Sequence, residues 1–338
     1  SRFMFLSGLI VVFASLSVMP SLAQGGPAET LSQYGLPHMF GLPTATTARQ
    51  FGMGGMTAAV QDVGFPNPAF AGALSQSNAG VRYSITDFDL GLRLKGAQGW
   101  VNTPLSDGQG IQVLGTWLDS DRGPLRVPGT DNIAMVDYYE GAISLHYGRR
   151  LNEWWLVGVG LSPVLSTFSK MYDPLSGALV TRLGSSANAG ARVGVLYQFA
   201  PEGFIGAYAD RYGEDVTMAA PGLPAVLTDE YSATQYAIGI SGRAGDRALV
   251  ALEWGELKNK SGPFENVASG WHAGVELDLN SQACLRAGVN DNEITTGFGF
   301  KSENWAVSYA YIKDWNDDLV GVLFGGSDTQ QIEFTGSW

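Results

Sequence analysis

The sequence predicts an all-β protein: a transmembrane antiparallel β-barrel of about fourteen strands with an N-terminal plug inside its lumen. Three observations carry this. Charged residues are scarce while glycine and aromatic residues abound. Segments of some ten residues alternate in polarity. The connections between those segments are short and long by turns.

Charged residues make up 15% of the 338-residue chain, against roughly 25% in a typical soluble domain. There are 45 glycines and 11% aromatic residues, yet mean hydropathy is only +0.03. Beyond the N-terminus no apolar run approaches the roughly 20 residues of a spanning helix. That balance suits a wall with one face in lipid and one in water. The net charge of −12, with no cluster of Lys and Arg, excludes nucleic acid as a partner. Cys284 is the single cysteine, so neither an intramolecular disulfide nor a cysteine zinc site is available. His38, His146 and His272 are far apart in sequence, and no metal centre or cofactor is expected.

Residues 1–23 read as a signal peptide. Arg2 is the basic flank, Phe3 to Val18 the apolar core, Pro20 its break, and Ser21-Leu22-Ala23 the small-x-small cleavage site before Gln24. The alternative is an N-terminal anchor, for which the apolar core is short. The chain is therefore expected to leave the cytoplasm.

Residues 79–338 are expected to form the wall. In 137–147, Tyr139, Ile143, Leu145 and Tyr147 share one face, and Glu140, Ala142, Ser144 and His146 the other. In 271–280, Trp271, Ala273, Val275, Leu277 and Leu279 oppose His272, Gly274, Glu276, Asp278 and Asn280. A period of two with one apolar side is the mark of a half-exposed strand. Such segments lie near 79–86, 89–101, 109–118, 137–148, 154–166, 186–199, 203–211, 231–242, 247–256, 270–279, 283–290, 294–301, 304–312 and 329–338. Short connections fall at 149–153, 200–203, 243–246, 280–282 and 302–304, and long ones at 119–136, 167–185, 212–230, 257–269 and 313–328, with 87–88 and 291–293 as exceptions on the long side. Tight periplasmic turns and extended outer loops give this alternation, which a soluble sandwich or propeller has no reason to keep. The last segment, QQIEFTGSW, carries Ile332, Phe334 and Trp338 on one face. A final strand ending on an aromatic residue is what the outer-membrane assembly machinery reads, so that machinery is an expected partner, as is outer-membrane lipid.

Projecting the strands places Arg82, Arg93, Lys95, Arg192, Arg243 and Arg286, with Glu140, Glu253, Glu276, Asp278 and Glu333, on the lumen side. Mixed signs in a confined space should pair, since an unpaired buried charge is costly. They either hold plug and barrel together or bind a substrate.

Residues 24–78 do not follow the strand pattern and are expected to be the plug. Their core is ATTARQFGMGGMTAAVQDVGFPNPAFAGAL (45–74), with Arg49, Gly52, Gly54, Gly55, Asp62, Asn67 and Pro68 as its distinctive residues. The glycine run lacks the Lys-Ser/Thr of a phosphate loop. Small residues instead permit close backbone packing inside a barrel. Asn67-Pro68 is a turn dipeptide suited to joining plug and first strand. Arg49 and Asp62 should find partners among the lumen charges.

This plug motif resembles the N-terminal hatch of the FadL-type hydrophobic-compound transporters and of the related PorV/PorQ proteins of type IX secretion. The stretches 191–208 and 285–311 resemble the PorV/PorQ branch. No Ser-His-Asp, Cys-His or paired-carboxylate set has convincing local spacing, so no enzymatic activity is expected. The FadL resemblance implies passive, hatch-gated diffusion of fatty-acid-like hydrophobic molecules across the outer membrane. The PorV/PorQ resemblance implies a secretion component that docks secreted proteins. Two connections are unusually apolar, and their residues Leu223, Val226, Leu227, Leu319, Val322, Leu323 and Phe324 are the candidates for capturing ligand or partner.

Overall fold

The computed structural model describes residues 47–338 apart from 63, 65, 127–132, 187–189, 220, 223–225, 262–263, 291–292 and 315–326. The signal peptide and the first part of the plug, residues 24–46, therefore lie outside the described residues. A short helix, α1 (Ala48–Gly52), and a 3-10 turn (Pro68–Ala73) precede sixteen strand segments. These are β1 (Asn78–Phe88), β2 (Arg93–Ser106), β3 (Gln109–Asp121), β4 (Gly123–Arg126), β5 (Ile133–Arg150), β6 (Trp155–Tyr172), β7 (Leu179–Ser186) and β8 (Ala191–Ala200). They continue with β9 (Gly203–Ala219), β10 (Val226–Ala244), β11 (Ala248–Ser261), β12 (Phe264–Asp278), β13 (Ala283–Asn290), β14 (Glu293–Lys301), β15 (Trp305–Asp314) and β16 (Ser327–Ser337).

Two pairs of segments are single staves. β3 and β4 both pair with β5, one after the other. β7 and β8 both lie between β6 and β9. The sixteen segments thus make a closed barrel of fourteen antiparallel staves. It closes where β1 meets β16, with Val81 opposite Phe334, Tyr83 opposite Ile332 and Asn78 opposite Ser337. No edge is left, as the hydrocarbon of a membrane requires.

Every second residue faces out, and in the middle of the strands those residues are mostly apolar. Val81, Ile143, Val159, Val193, Ile238, Ile332 and Phe334 are half-exposed or more. The end that carries the short turns also carries aromatic groups: Trp154 and Trp155 beside Tyr197, and Phe300, Trp305 and Phe334 in sequence. Such a girdle sits at a membrane–water interface, where a ring with an apolar body and a polar tip is best placed. Trp338 joins the same end, its backbone N–H bound to the Ser77 carbonyl at 3.0 Å.

At the opposite end the strands overrun the expected loops. β9 continues to Ala219 and β10 begins at Val226, within the predicted 212–230 connection, and β11 and β12 extend to Ser261 and from Phe264. Past the apolar band neither face has to be apolar. The backbone ladder continues while the period-two signal stops, which is why sequence patterning ended these strands early.

Candidate functional site

The described part of the plug opens on a capped helix. The Thr47 hydroxyl accepts from the Gln50 N–H, and the Gln50 side chain accepts from the Thr47 N–H, each at 3.2 Å. These reciprocal bonds satisfy donors that a helix start leaves open. Gly54 and Gly55 then turn the chain with φ of +91° and +77°, a region that disfavours any residue with a Cβ. Asn67 caps the 3-10 turn by accepting from the Ala69 N–H at 3.1 Å, and Pro68 occupies its first position. The Asn67 amide also donates to the Ala58 carbonyl at 2.8 Å, folding the plug back on itself.

The wall grips this segment along its length. Glu333 of β16 accepts from the Ala48 N–H at 2.9 Å. Thr295 of β14 donates to the Gly52 carbonyl at 3.2 Å. His272 of β12 donates through Nδ1 to the Gly54 carbonyl at 2.7 Å, since a carbonyl can only accept. Glu253 of β11 accepts from the Thr57 N–H, the Thr57 hydroxyl and the Ala58 N–H at 2.7–2.8 Å. Ser241 of β10 donates to the Ala59 carbonyl at 2.8 Å, and Arg192 of β8 to the Pro66 carbonyl at 3.2 Å.

Glycines in the wall make this grip possible. A Cβ on Gly158 or Gly206 would run into the backbone of Pro68 or Ala58, and one on Gly274 or Gly288 into that of Met53. These glycines fall on the lumen face. Sequence reasoning placed Gly274 on the polar face but read no contact from it. The available signal was glycine recurring on the polar side of a period-two strand.

The lumen charges are mostly paired. Arg49 meets Glu276 through Nε and Nη2 at 2.9 and 2.7 Å, and Arg286 holds the same carboxylate at 2.7 Å. Burial alone would lower the Arg49 pKa, but Glu276 and Asp62 together outweigh it and the guanidinium is held above its ordinary value. Arg192 pairs with Asp210, both buried, and with the buried His146 at 3.4 Å. Glu140 accepts from the Tyr138 hydroxyl at 2.5 Å. Asp62 accepts from the Thr47 hydroxyl, so it is bound within the plug. Arg243 pairs with Glu202 and Asp278 at the short-turn end. Arg82 is buried on the lumen face.

Arg93 and Lys95 are corrections. Both point outward, on the same face of β2 as the exposed Val101, and pair there with Asp87 and Asp121. β2 alternates strictly, so Leu94, Gly96 and Gln98 take the lumen side. Beyond the apolar band a charge is as well placed outside as inside, and polarity no longer identifies the face.

A second feature escaped the polar-face reading. Towards the long-loop end the lumen side turns apolar: Phe88, Leu92, Leu94, Leu118 and Val136 are all buried there. Leu92 is tucked in by a tight turn in which the Phe88 N–H meets the Leu92 carbonyl at 2.9 Å and Gly91 takes φ +96°. At plug level, by contrast, buried Arg82, Gln98, Trp100 and Gln331 each keep a side-chain atom without a hydrogen-bond partner. From β1 to β5 the lumen side is thus apolar at its outer end, while plug and wall meet through apolar contacts as well as polar ones, with Phe70 against Leu156, Leu196 and Phe204, and Met53 and Met56 against Leu249 and Ala251.

Of the candidate capture residues, Val226 and Leu227 are the first two residues of β10, opposite Met218 and Thr217. They are strand residues rather than loop residues. Leu223, Leu319, Val322, Leu323 and Phe324 lie outside the described residues.

No family model and no curated protein matches the sequence. Solved structures do match its fold. The toluene transporter TbuX of Ralstonia pickettii aligns over 89% of this chain and 100% of its own, with 14% identity and a TM-score of 0.63. The monoaromatic hydrocarbon channel CymD aligns over 87% and 98%, with 15% identity and a TM-score of 0.57. A FadL homologue of Pseudomonas aeruginosa aligns over 87% and 98%, with 13% identity and a TM-score of 0.56. At these identities the likeness is one of fold, and the fold of this chain is that of the plugged, fourteen-stranded FadL-type barrels.

Proposed function

We propose that this chain is an outer-membrane channel that carries hydrophobic small molecules down their concentration gradient, with the plug as its gate. The observation that carries the reading is the correspondence, along nearly the whole of both chains, with barrels described as toluene transporters and hydrocarbon channels. The apolar character of the inner wall at the outer end supports it: Phe88, Leu94 and Leu118 stand there on the lumen side, where a polar lining would repel an apolar solute. The chain reaches the membrane through signal-peptide cleavage after Ala23 and recognition of its last strand by the assembly machinery. Leu223, Val226, Leu227, Leu319, Val322, Leu323 and Phe324 form the capture surface in this reading.

The test is entry of a labelled monoaromatic or fatty-acid-like solute into cells that lack other such channels and make this protein. Faster entry than in cells without it supports the reading, and the double variant Leu227→Ser, Phe324→Ser should slow entry without reducing the amount of barrel. Unchanged entry together with co-purification of a secreted protein would favour the docking role of the PorV/PorQ kind instead.

A further inference from the structure

We propose that Arg82 is a counter-latch for the plug: when the plug segment at Ala48 leaves its seat, Glu333 exchanges the Ala48 N–H for the Arg82 guanidinium, so that the wall stabilises the open gate. This rests on the reading of the plug as a gate, given above.

The wall holds the plug through three carboxylates. Glu333 of β16 and Glu276 of β12 grip its α1 end, at the Ala48 N–H and at Arg49. Glu253 of β11 grips further along, at Thr57 and Ala58. The first two each have an arginine directly opposite on a neighbouring strand. Glu276 is the register partner of Arg286 on β13, and Glu333 is the register partner of Arg82 on β1. Glu253 has Gly239 and His272 opposite it instead.

The two arginines differ in one respect. Arg286 donates through Nε to Glu276 at 2.7 Å, while Arg49 holds the same carboxylate. Arg82 makes no ion pair among the described residues, and its Nη1 has no hydrogen-bond partner. Arg82 and Glu333 are both buried. Side chains directly opposite each other on antiparallel strands stand with Cβ atoms about 5 Å apart. The Glu276–Arg286 pair shows that this register can close in this wall. Glu333 is turned instead to the Ala48 N–H, at 2.9 Å.

An unpaired buried cation is unfavourable. The seated plug therefore leaves one bond of the wall unmade, and withdrawal of α1 allows it to form. Ala48 then finds water for its N–H, Arg286 keeps Glu276, and Arg82 takes Glu333. Neither carboxylate is stranded. The remainder of the plug has no such exchange. Phe70 packs with Leu156, Leu196 and Phe204, and a Cβ on Gly158, Gly194 or Gly206 would run into Pro68, Asn67 or Ala58. Gly54 and Gly55, both at positive φ, separate the two parts. The α1 end is thus the part that moves, and the 3-10 turn with Ala58 is the anchor.

The experiment is hydrogen–deuterium exchange, read by mass spectrometry, on the folded barrel in mild detergent. Exchange of the amides of residues 48–55 reports opening at the α1 end, and exchange in the 3-10 turn is the internal reference. Arg82→Leu removes the bond of the open state. Exchange at α1 should then slow about tenfold, the size of one hydrogen bond to a charged group, with the reference unchanged. Arg82→Lys should keep most of the parent rate. In a Glu333→Gln background, which retains an acceptor for Ala48, Arg82→Leu should change nothing further. An Arg82 that only supports the wall, or that is solvated by a buried water, gives the opposite sign, with faster exchange at both ends. Faster or unchanged α1 exchange in Arg82→Leu would overturn the proposal. Heat-modifiable migration shows which variants fold, and Arg82→Gln, which removes the charge and keeps a donor, decides the sign if Arg82→Leu does not fold. Solute entry into cells is scored separately. Entry by the parent with unchanged exchange in the variants rejects the latch alone, whereas slowed exchange without entry by the parent rejects the channel reading and supports the latch.

Discussion

Arg49 of the plug and Glu276 of β12 are joined by two parallel charge-assisted hydrogen bonds, and Arg286 closes on the same carboxylate from the wall. One carboxylate thus satisfies a cation on each of the two bodies that must stay together. Replacing Glu276 with Ala leaves both guanidinium groups without it in a confined space. Breaking such a pair costs about 3–5 kcal/mol. The variant should lose its folded gel migration at a lower temperature than the parent and admit small hydrophilic antibiotics faster. Unchanged sensitivity and unchanged thermal migration would show that this cluster does not seat the plug.

Gly54 tests the close approach of backbone to backbone. Its φ is +91°, and a Cβ would fall 2.6 Å from the Val289 carbonyl oxygen and 2.9 Å from that of Ala273. Gly54→Ala should therefore unseat the plug and expose it to protease added from the short-turn side. Gly177→Ala is the control. That glycine also has positive φ, at +67°, but nothing lies within 4 Å. It should cost only the backbone term of about 1–2 kcal/mol and leave the plug protected.

Two buried polar groups should respond in opposite ways. Glu253 accepts three hydrogen bonds from Thr57 and Ala58, so Glu253→Ala strands those donors and should destabilise the barrel by several kcal/mol. Gln331 is buried with its carbonyl oxygen unpartnered. Gln331→Leu removes an unmet acceptor and should be neutral or stabilising. Thermal gel migration of the two variants measures both. A loss of stability in Gln331→Leu as large as that in Glu253→Ala would contradict the account of the lumen.

The wall was legible in the sequence because lipid imposes a strict period of two. Ile143 and Leu145 against Ser144 and His146 declare the face of β5, and the closing pair of β1 with β16 follows from the need to leave no edge. Legibility ended where that constraint ends. Arg93 and Lys95 stand above the apolar band, where charge no longer reports a face. The extensions of β9 and β10 have no apolar side to announce them. Arg49 was recognisable as a charge in need of a partner, but which carboxylate it takes depends on how the plug lies across strands far apart in sequence. The apolar outer lumen was hidden for a simpler reason. Leu94 and Leu118 are apolar residues on the lumen side, and their neighbours Lys95 and Asp119 outside reverse the usual pattern.

The final strand should decide whether a barrel forms at all. Phe334 pairs with Val81, and the Trp338 N–H reaches the Ser77 carbonyl. Deleting residues 334–338 strips β1 of partners near the short-turn end and leaves backbone groups open in hydrocarbon, at several kcal/mol each. The truncated chain should fail to accumulate as a heat-modifiable species in membranes. Its accumulation in that form would remove this segment from the role of closing strand.

The central claim is passive movement of an apolar solute through the barrel. It is tested most directly by the initial rate at which a labelled monoaromatic hydrocarbon enters cells that lack other hydrophobic channels, compared with and without this protein at equal barrel amounts. The account predicts faster entry that is not energy-dependent and that falls when Leu94 and Leu118 of the outer lumen are replaced by Asn. Entry at the same rate with and without a folded barrel would contradict it.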